Sequence, residues 1–243
     1  MTEELKTTGM VIGVVDYKEK DKLVTVFSLQ LGVITAVLKS VKSKTAKLRA
    51  CGQLFCFGEF VLAKNNGRYT ITSVDVIDQF YDLTLDYDQF FMASQMIASI
   101  PTVLTDVSIA DELFLLVIKL LKQLTYQKTD GRLCLIKYML EVFRMTGNEI
   151  VFDFCSNCQK NMTKDVYLDI NLGNFVCVRC STVTSKLLPP KVFETLMIIH
   201  QTDLERLSEL KMENKLQSLN VLITNFYYRY GKKLTDLIKY LNA

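Results

Sequence analysis

Residues 53–63 read QLFCFGEFVLA, residues 65–67 read Asn65-Asn66-Gly67, and residues 69–77 read YTITSVDVI. An apolar run, a turn signal and an alternating run together predict a β-hairpin. Asn and Gly accept the positive φ that such a turn imposes. Gly58, inside the first arm, marks an expected bulge. Working back toward the N-terminus, residues 33–38, residues 23–28 (LVTVFS) and residues 9–17 (GMVIGVVDY) are further strands rich in Val and Ile. Leu31-Gly32 and the polar residues 18–22 supply the turns between them. Five strands in about eighty residues, with no long helix among the first three, suit a small closed or nearly closed barrel such as an OB-fold, because closure removes exposed edges. Other small barrels fit the same pattern.

From Asp82 onward the period becomes helical. Asp86 can cap a helix carrying Phe90, Phe91, Met96, Ile97 and Ile100, which Pro101 should stop. Ser108-Ile109-Ala110-Asp111 resembles a capping box and opens a helix through Leu124. Leu113, Phe114, Leu116, Val117, Leu120 and Leu121 make that helix apolar on most of its surface, which places it at the centre of a bundle. Residues 131–145 continue as a helix that Gly147 ends. Pro189-Pro190 starts another, to about Gln201; Thr202 to Glu205 is a second capping-box signal. Residues 213–230 form a long helix ending at Gly231, and residues 232–241 close the chain. The predicted class is α+β: an OB-fold-like β-barrel over residues 1–81, then an α-helical domain over residues 82–243 with an insert at about 150–188.

That insert carries the strongest chemical signal. Cys155-Ser156-Asn157-Cys158 is answered by Cys177-Val178-Arg179-Cys180, with eighteen residues between the pairs. Each Cys-x-x-Cys can present two thiolates to one ion, and two such turns complete a tetrahedron. Zinc fits an all-sulfur cage best, in a closed structural role with no open position for water or substrate. Two disulfides, or four buried thiols, are the other readings. Cys51, Cys56 and Cys134 read as small buried hydrophobes.

The chain has 243 residues, 49% of them hydrophobic and 23% charged, a globular composition. Its N-terminus is polar and acidic, and no run of eighteen apolar residues occurs, so we expect a cytoplasmic protein without a membrane partner. In that compartment thiols stay reduced and paired Cys-x-x-Cys reads as metal. Net charge is only +3, yet residues 1–81 hold 11 basic and 8 acidic side chains while residues 82–150 hold 6 and 9. The front is basic and the middle acidic.

Lys39, Lys42, Lys44, Lys47 and Arg49 form a run of five cations with no acid, between the third and fourth expected strands. Phosphate backbones attract such a cluster, although a solvated loop explains it equally simply. The barrel shifts the balance toward nucleic acid. In an OB-fold the loops joining strands one to two and four to five frame the binding face, and here they hold Lys18, Lys20 and Lys22, and Lys64 and Arg68. Glu19 and Asp21 dilute the first. Tyr17, Phe27 and Tyr69 are aromatics able to stack on bases, with Phe27 better suited to the core.

Enzyme signatures are absent from the sequence. The single histidine, His200, follows Met197, Ile198 and Ile199 and reads as a packed or surface imidazole. Asp86 and Asp88 form a close carboxylate pair that capping explains. We assign no catalytic residue.

Barrel, helical domain and interposed four-cysteine site, in that order, resemble the RecO recombination mediator family of bacterial DNA repair. Leu31-Gly32, the strand leading to Lys39, Arg49, Gln53-Leu54-Phe55, residues 140–147, the Cys155/Cys158 pair, Leu172-Gly173 and the Cys177/Cys180 pair carry the likeness across nearly the whole chain. Ser40 and Gln159 stand where the family usually has Gly, and Leu54 where it has Pro. The resemblance implies binding of single- and double-stranded DNA and annealing of complementary strands. It also implies contact with the C-terminal tail of single-stranded DNA-binding protein, and work with RecR to load RecA near the nucleoid. No motif fixes the partner-binding residues. An RNA- or transcription-associated adaptor built on the same modules is the alternative.

Overall fold

The computed structural model describes residues 3–41, 48–104, 106–162 and 165–231. The chain divides into two compact units, Met1–Leu85 with Leu104–Leu115, and Asp86–Val103 with Leu116–Ala243.

In the first unit β1 (Glu3–Tyr17), β2 (Asp21–Ser28), β3 (Gly32–Leu38), β4 (Phe57–Asn65) and β5 (Arg68–Asp78) close a barrel in the order β1-β2-β3-β5-β4. β1 is long enough to pair with both β2 and β4, which closes the barrel, and β3 runs parallel to β5 with Ala36 opposite Tyr69. This is the expected OB-like architecture. Alternation along the strands turns Val24, Val26, Ile34, Ala36, Leu38, Phe60, Leu62 and Ile71 inward as one core. Asn66 (φ 48°) and Gly67 (φ 74°) make the β4–β5 turn as predicted. Gly58 sits at a register shift, because Phe57 faces Asp78 while Gly58 faces Val76. A Cβ there would collide with the carbonyl oxygen of Asp75.

The run at 53–63 is not all strand. Arg49–Gly52 is a 3-10 turn and β4 begins only at Phe57. Phe55, left-handed at φ 67°, donates its N–H to the carbonyl of Val11 at 2.9 Å and buries its ring fully. Its apolar character serves a loop that enters the core, which a strand pattern cannot distinguish. Phe27 and Phe57 both pack on Phe114, with ring centroids 5.3 and 6.0 Å apart.

The second unit contains α1 (Tyr87–Val103), most of α2 (Ala110–Tyr126), α3 (Gly131–Met145), α4 (Pro190–Gln201) and α5 (Lys215–Tyr230). Between α3 and α4 lies a small sheet of β6 (Val166–Asp169), β7 (Asn174–Cys177) and β8 (Lys186–Leu187), in the order β7-β6-β8. The hub is α3, which packs against α1, α4 and α5, and not the helix expected at 108–124. α2 is amphipathic instead: Asp111, Glu112, Leu115, Lys119, Lys122 and Tyr126 are exposed while Leu113, Phe114, Leu116, Val117, Leu120 and Leu121 are buried. Its residues through Leu115 belong to the first unit and the rest to the second.

The helix ends differ in part from those the sequence predicts. Asp86 caps α1 as expected, accepting from the Gln89 N–H at 3.1 Å. Pro101 does not stop α1: it forgoes the N–H bond to the Ile97 carbonyl, but its own φ is helical and the residues after it can keep helical backbone, so the helix runs two residues further, to Val103. Asp106, not Ser108, opens the next helix: it accepts from the Ser108 N–H at 2.8 Å across a 3-10 turn, Val107–Ile109. Thr202 donates its hydroxyl back to the Ile198 carbonyl at 2.7 Å, so it caps nothing ahead, and Leu204–Glu209 is a 3-10 helix. Gly147 and Gly231 take positive φ just past α3 and α5. Residues 232–241 lie outside the described residues. Among the described residues no helix is long and apolar enough to cross a membrane.

Candidate metal centre and nucleic-acid interface

Two tight turns build the four-cysteine cluster. In the first, the Gln159 N–H returns to the Cys155 carbonyl at 2.9 Å, with Gln159 at φ 58°. In the second, the Cys180 and Ser181 N–H groups return to the Cys177 carbonyl at 2.9 and 3.0 Å. The strand pairing of β7 with β6 carries the second turn, and the first is laid against it by the Ser156 N–H and hydroxyl, which both donate to the Phe175 carbonyl (3.0 and 2.9 Å). The sulfurs of Cys155, Cys158, Cys177 and Cys180 all lie within 4.8 Å of one another.

Those thiols are free, which sets aside the disulfide reading. Cys158 and Cys177 Sγ are 3.8 Å apart. An ion with tetrahedral bonds of about 2.3 Å places its sulfurs about 3.8 Å apart, so the cluster can hold a metal ion. Cys155 is fully buried and Cys158 exposed, an arrangement with one rigid side and one reachable side. Burial pushes the Cys155 thiol up, but the backbone N–H groups of Cys158, Cys177 and Asn157 outweigh it and the pKa falls to about 6. Cys180 is pushed up to about 12, first by its hydrogen bond with Cys158, then by burial and the neighbouring sulfurs. One thiolate thus sits among sulfurs that resist a second negative charge, and a cation is what lets the others ionise.

The cluster is braced by residues that periodicity does not reveal. Asp169, at the end of β6, accepts from the Asn171 and Leu172 N–H groups (3.0 Å each) and from the Ser185 and Thr182 hydroxyls (2.9 and 3.3 Å). Asn174 accepts from the Val151 N–H and donates to the Glu149 carbonyl, which ties the incoming chain to β7. Phe152, Phe175 and Phe193 form a ring cluster with centroids 5.3–5.6 Å apart. His200 stacks on Phe152 at 5.0 Å, the packed imidazole the sequence predicts; burial and then the Lys137 charge hold its pKa below the usual range. Lys137, itself buried, pairs with Glu141 at 3.0 Å and donates to the His200 carbonyl at 2.9 Å. These groups hold structure together.

On the barrel, Lys39 and Arg49 are both exposed, at the end of β3 and in the 3-10 turn. Lys42, Lys44 and Lys47 lie outside the described residues. In the β1–β2 turn Lys18 and Lys20 are exposed, with Lys18 Nζ 5.2 Å from the Tyr17 ring centre. Lys22 instead turns inward and donates to the Gly52 carbonyl at 2.9 Å. Arg68 is exposed, and Lys64 Nζ lies 5.7 Å from the Tyr69 ring centre. Phe27 is fully buried, which leaves Tyr17 and Tyr69 as the partly exposed aromatics of that set. Cys51 and Cys56 are buried in the barrel core and Cys134 in α3, as read from the sequence.

Comparison with known proteins covers both units. The family model described as recombination protein O, N terminal, matches residues 1–80, and that described as recombination protein O, C terminal, matches residues 85–237. DNA repair protein RecO of Clostridium novyi (strain NT) is 29% identical over 241 residues, covering 97% of this chain and 94% of the relative. RecO of Caldicellulosiruptor saccharolyticus is 26% identical and covers 98% of each. RecO of Acetivibrio thermocellus is 32% identical over 178 residues, 72% of this chain and 70% of its own length.

Proposed function

The chain belongs to the recombination protein O (RecO) family of DNA repair proteins, and on that premise we propose that it is a non-catalytic mediator of homologous recombination in the bacterial cytoplasm. It binds single- and double-stranded DNA through the barrel domain (residues 1–81), with Lys39, Lys42, Lys44, Lys47 and Arg49 as the phosphate contacts. A basic surface screens two polyanions from one another and lets complementary strands search for register, which is how binding becomes annealing. The helical domain (residues 82–243) receives protein partners, RecR and the C-terminal tail of single-stranded DNA-binding protein, and so helps place recombinase on coated strands.

The observation that carries this reading is the closed five-stranded barrel with exposed cations at the two described flanks of its basic segment. Zinc is the ion the four cysteines would hold, since four sulfurs suit a borderline-soft cation with no geometric preference of its own. Bound there it would supply structure alone, as Cys155, Cys158, Cys177 and Cys180 fill all four positions.

Annealing of complementary oligonucleotides coated with single-stranded DNA-binding protein tests the proposal. The expected result is acceleration at near-stoichiometric protein. DNA binding without acceleration would reject the mediator role, and preference for RNA over single-stranded DNA would move the assignment to an RNA adaptor.

A further inference from the structure

Asp21 and Lys22, the first two residues of β2, each reach a different end of the stretch that joins β3 to β4. Asp21 Oδ1 accepts the backbone N–H of Ser40 at 2.8 Å. Lys22 Nζ donates to the carbonyl of Gly52 at 2.9 Å. The two ends also meet through packing: a Cβ on Gly52 would stand 3.2 Å from Val41 and 3.3 Å from the Lys22 stem. Val41 is buried in the barrel core and Leu48 packs against it. A loop whose ends are pinned together in this way presents its flanks in a fixed place.

Ser40 is the strained point of that closure. It sits at φ 55°, a left-handed conformation that costs an L-residue with a side chain free energy, and the Asp21 carboxylate is the acceptor that holds it there. Lys39 immediately precedes Ser40, and Arg49 opens the turn that ends at Gly52. The acid that dilutes the charge of the basic surface is therefore also a fixture of it.

We infer that Asp21, acting with Lys22, is a positioning residue for nucleic acid: it fixes the backbone that aims Lys39 and Arg49 at phosphates. The inference rests on the proposed DNA-binding role of those two cations. It makes a prediction opposite in sign to simple electrostatics, because deleting an acid beside a polyanion should tighten binding unless that acid holds the site together.

The test is titration of the full chain with a fluorescent single-stranded oligonucleotide. Asp21→Ala is expected to weaken binding about three- to tenfold, the range of one lost hydrogen bond. Asp21→Asn keeps the acceptor without the charge and should bind at least as tightly as the parent. The double variant Asp21→Ala, Ser40→Gly should regain most of the loss, since glycine holds positive φ unaided; it also serves if Asp21→Ala alone fails to fold. Equal or tighter binding by Asp21→Ala, or an equal loss in Asp21→Asn, overturns the inference. Lys39→Ala with Arg49→Ala is the separate arm: parental affinity there defeats the DNA-binding role itself, whereas a loss there with intact Asp21→Ala binding defeats only the positioning role.

Discussion

Asn225 Nδ2 donates to the carbonyl oxygen of Gly173 at 2.8 Å, joining α5 to the turn that leads into Cys177. Arg229, one turn further along α5, donates to the Leu172 carbonyl and to Asn148 Oδ1, the latter at 2.9 Å. Gly173 is at φ 58°, and any side chain there would collide with the Arg229 guanidinium. The cysteine-bearing hairpin is thus placed by a helix about fifty residues downstream in sequence, through a backbone position that only glycine fills easily.

Gly173→Ala should therefore destabilise the chain by at least about 1–2 kcal/mol, the cost of left-handed backbone with a Cβ. Urea unfolding measures it. With Arg229→Ala in the background the collision disappears, so the same substitution should cost less there than in the parent.

Asp169→Ala should cost about 1–3 kcal/mol at neutral pH, because four donors lose one buried acceptor. Burial pushes the Asp169 carboxyl up, but the Leu172 N–H, the Ser185 and Thr182 hydroxyls and the Asn171 N–H outweigh it, leaving the pKa below the usual range. A depressed folded-state pKa gives stability that is present above the unfolded value, about 3.9, and lost as pH falls through the folded one. The difference between parent and variant should accordingly be largest at neutral pH and shrink below about pH 4. A difference that grew on acidification would contradict this account.

Metal analysis of the purified chain should find one zinc per chain, and X-ray absorption should show four sulfurs and no oxygen at about 2.3 Å. A chelator, or Cys177→Ser, should release the ion and lower the melting temperature while helical ellipticity persists, since α3 has its own apolar packing against three helices. DNA affinity should fall only indirectly, by less than about tenfold. An oxygen ligand would contradict the closed four-sulfur site.

Replacing Lys39, Lys42, Lys44, Lys47 and Arg49 together by Ala should weaken single-stranded DNA binding and flatten its salt dependence. Five phosphate contacts contribute a log–log slope of about −3.5, and that is the change to look for. An unchanged slope would remove the segment from the interface.

Much of the barrel was legible in the sequence. Asn66-Gly67 marked the hairpin turn, and runs rich in Val and Ile marked β2 and β3. The first half of β1 was not, because Glu3 to Thr8 is polar and pairs with β4 through backbone bonds that leave no apolar trace. The four cysteines announced their cluster by spacing, while Asn174, Asn225 and Arg229 gave no signal because each acts on a partner remote along the chain, as does Asp169 toward Thr182 and Ser185. Ser40 and Gln159 are a middle case. Both stand where the family resemblance leads one to expect glycine, and both take the left-handed φ that glycine would serve, 55° and 58°. The conformation could be read from the missing residue, but the Asp21 carboxylate that holds Ser40 could not.

Phe114 carries a consequence for how the parts can be inherited. Its ring covers Phe27 and Phe57, yet it lies about thirty-five residues beyond the end of the barrel strands. The barrel is for that reason not a cassette. A fragment ending near residue 81 would keep every strand and shed a piece of its own lining, uncovering two phenyl rings. Grafted in place of another barrel, it would need a compatible α2 in the recipient. Drift at Phe27, Phe57 and Phe114 is therefore linked across a stretch of chain that the strand order alone would treat as separable.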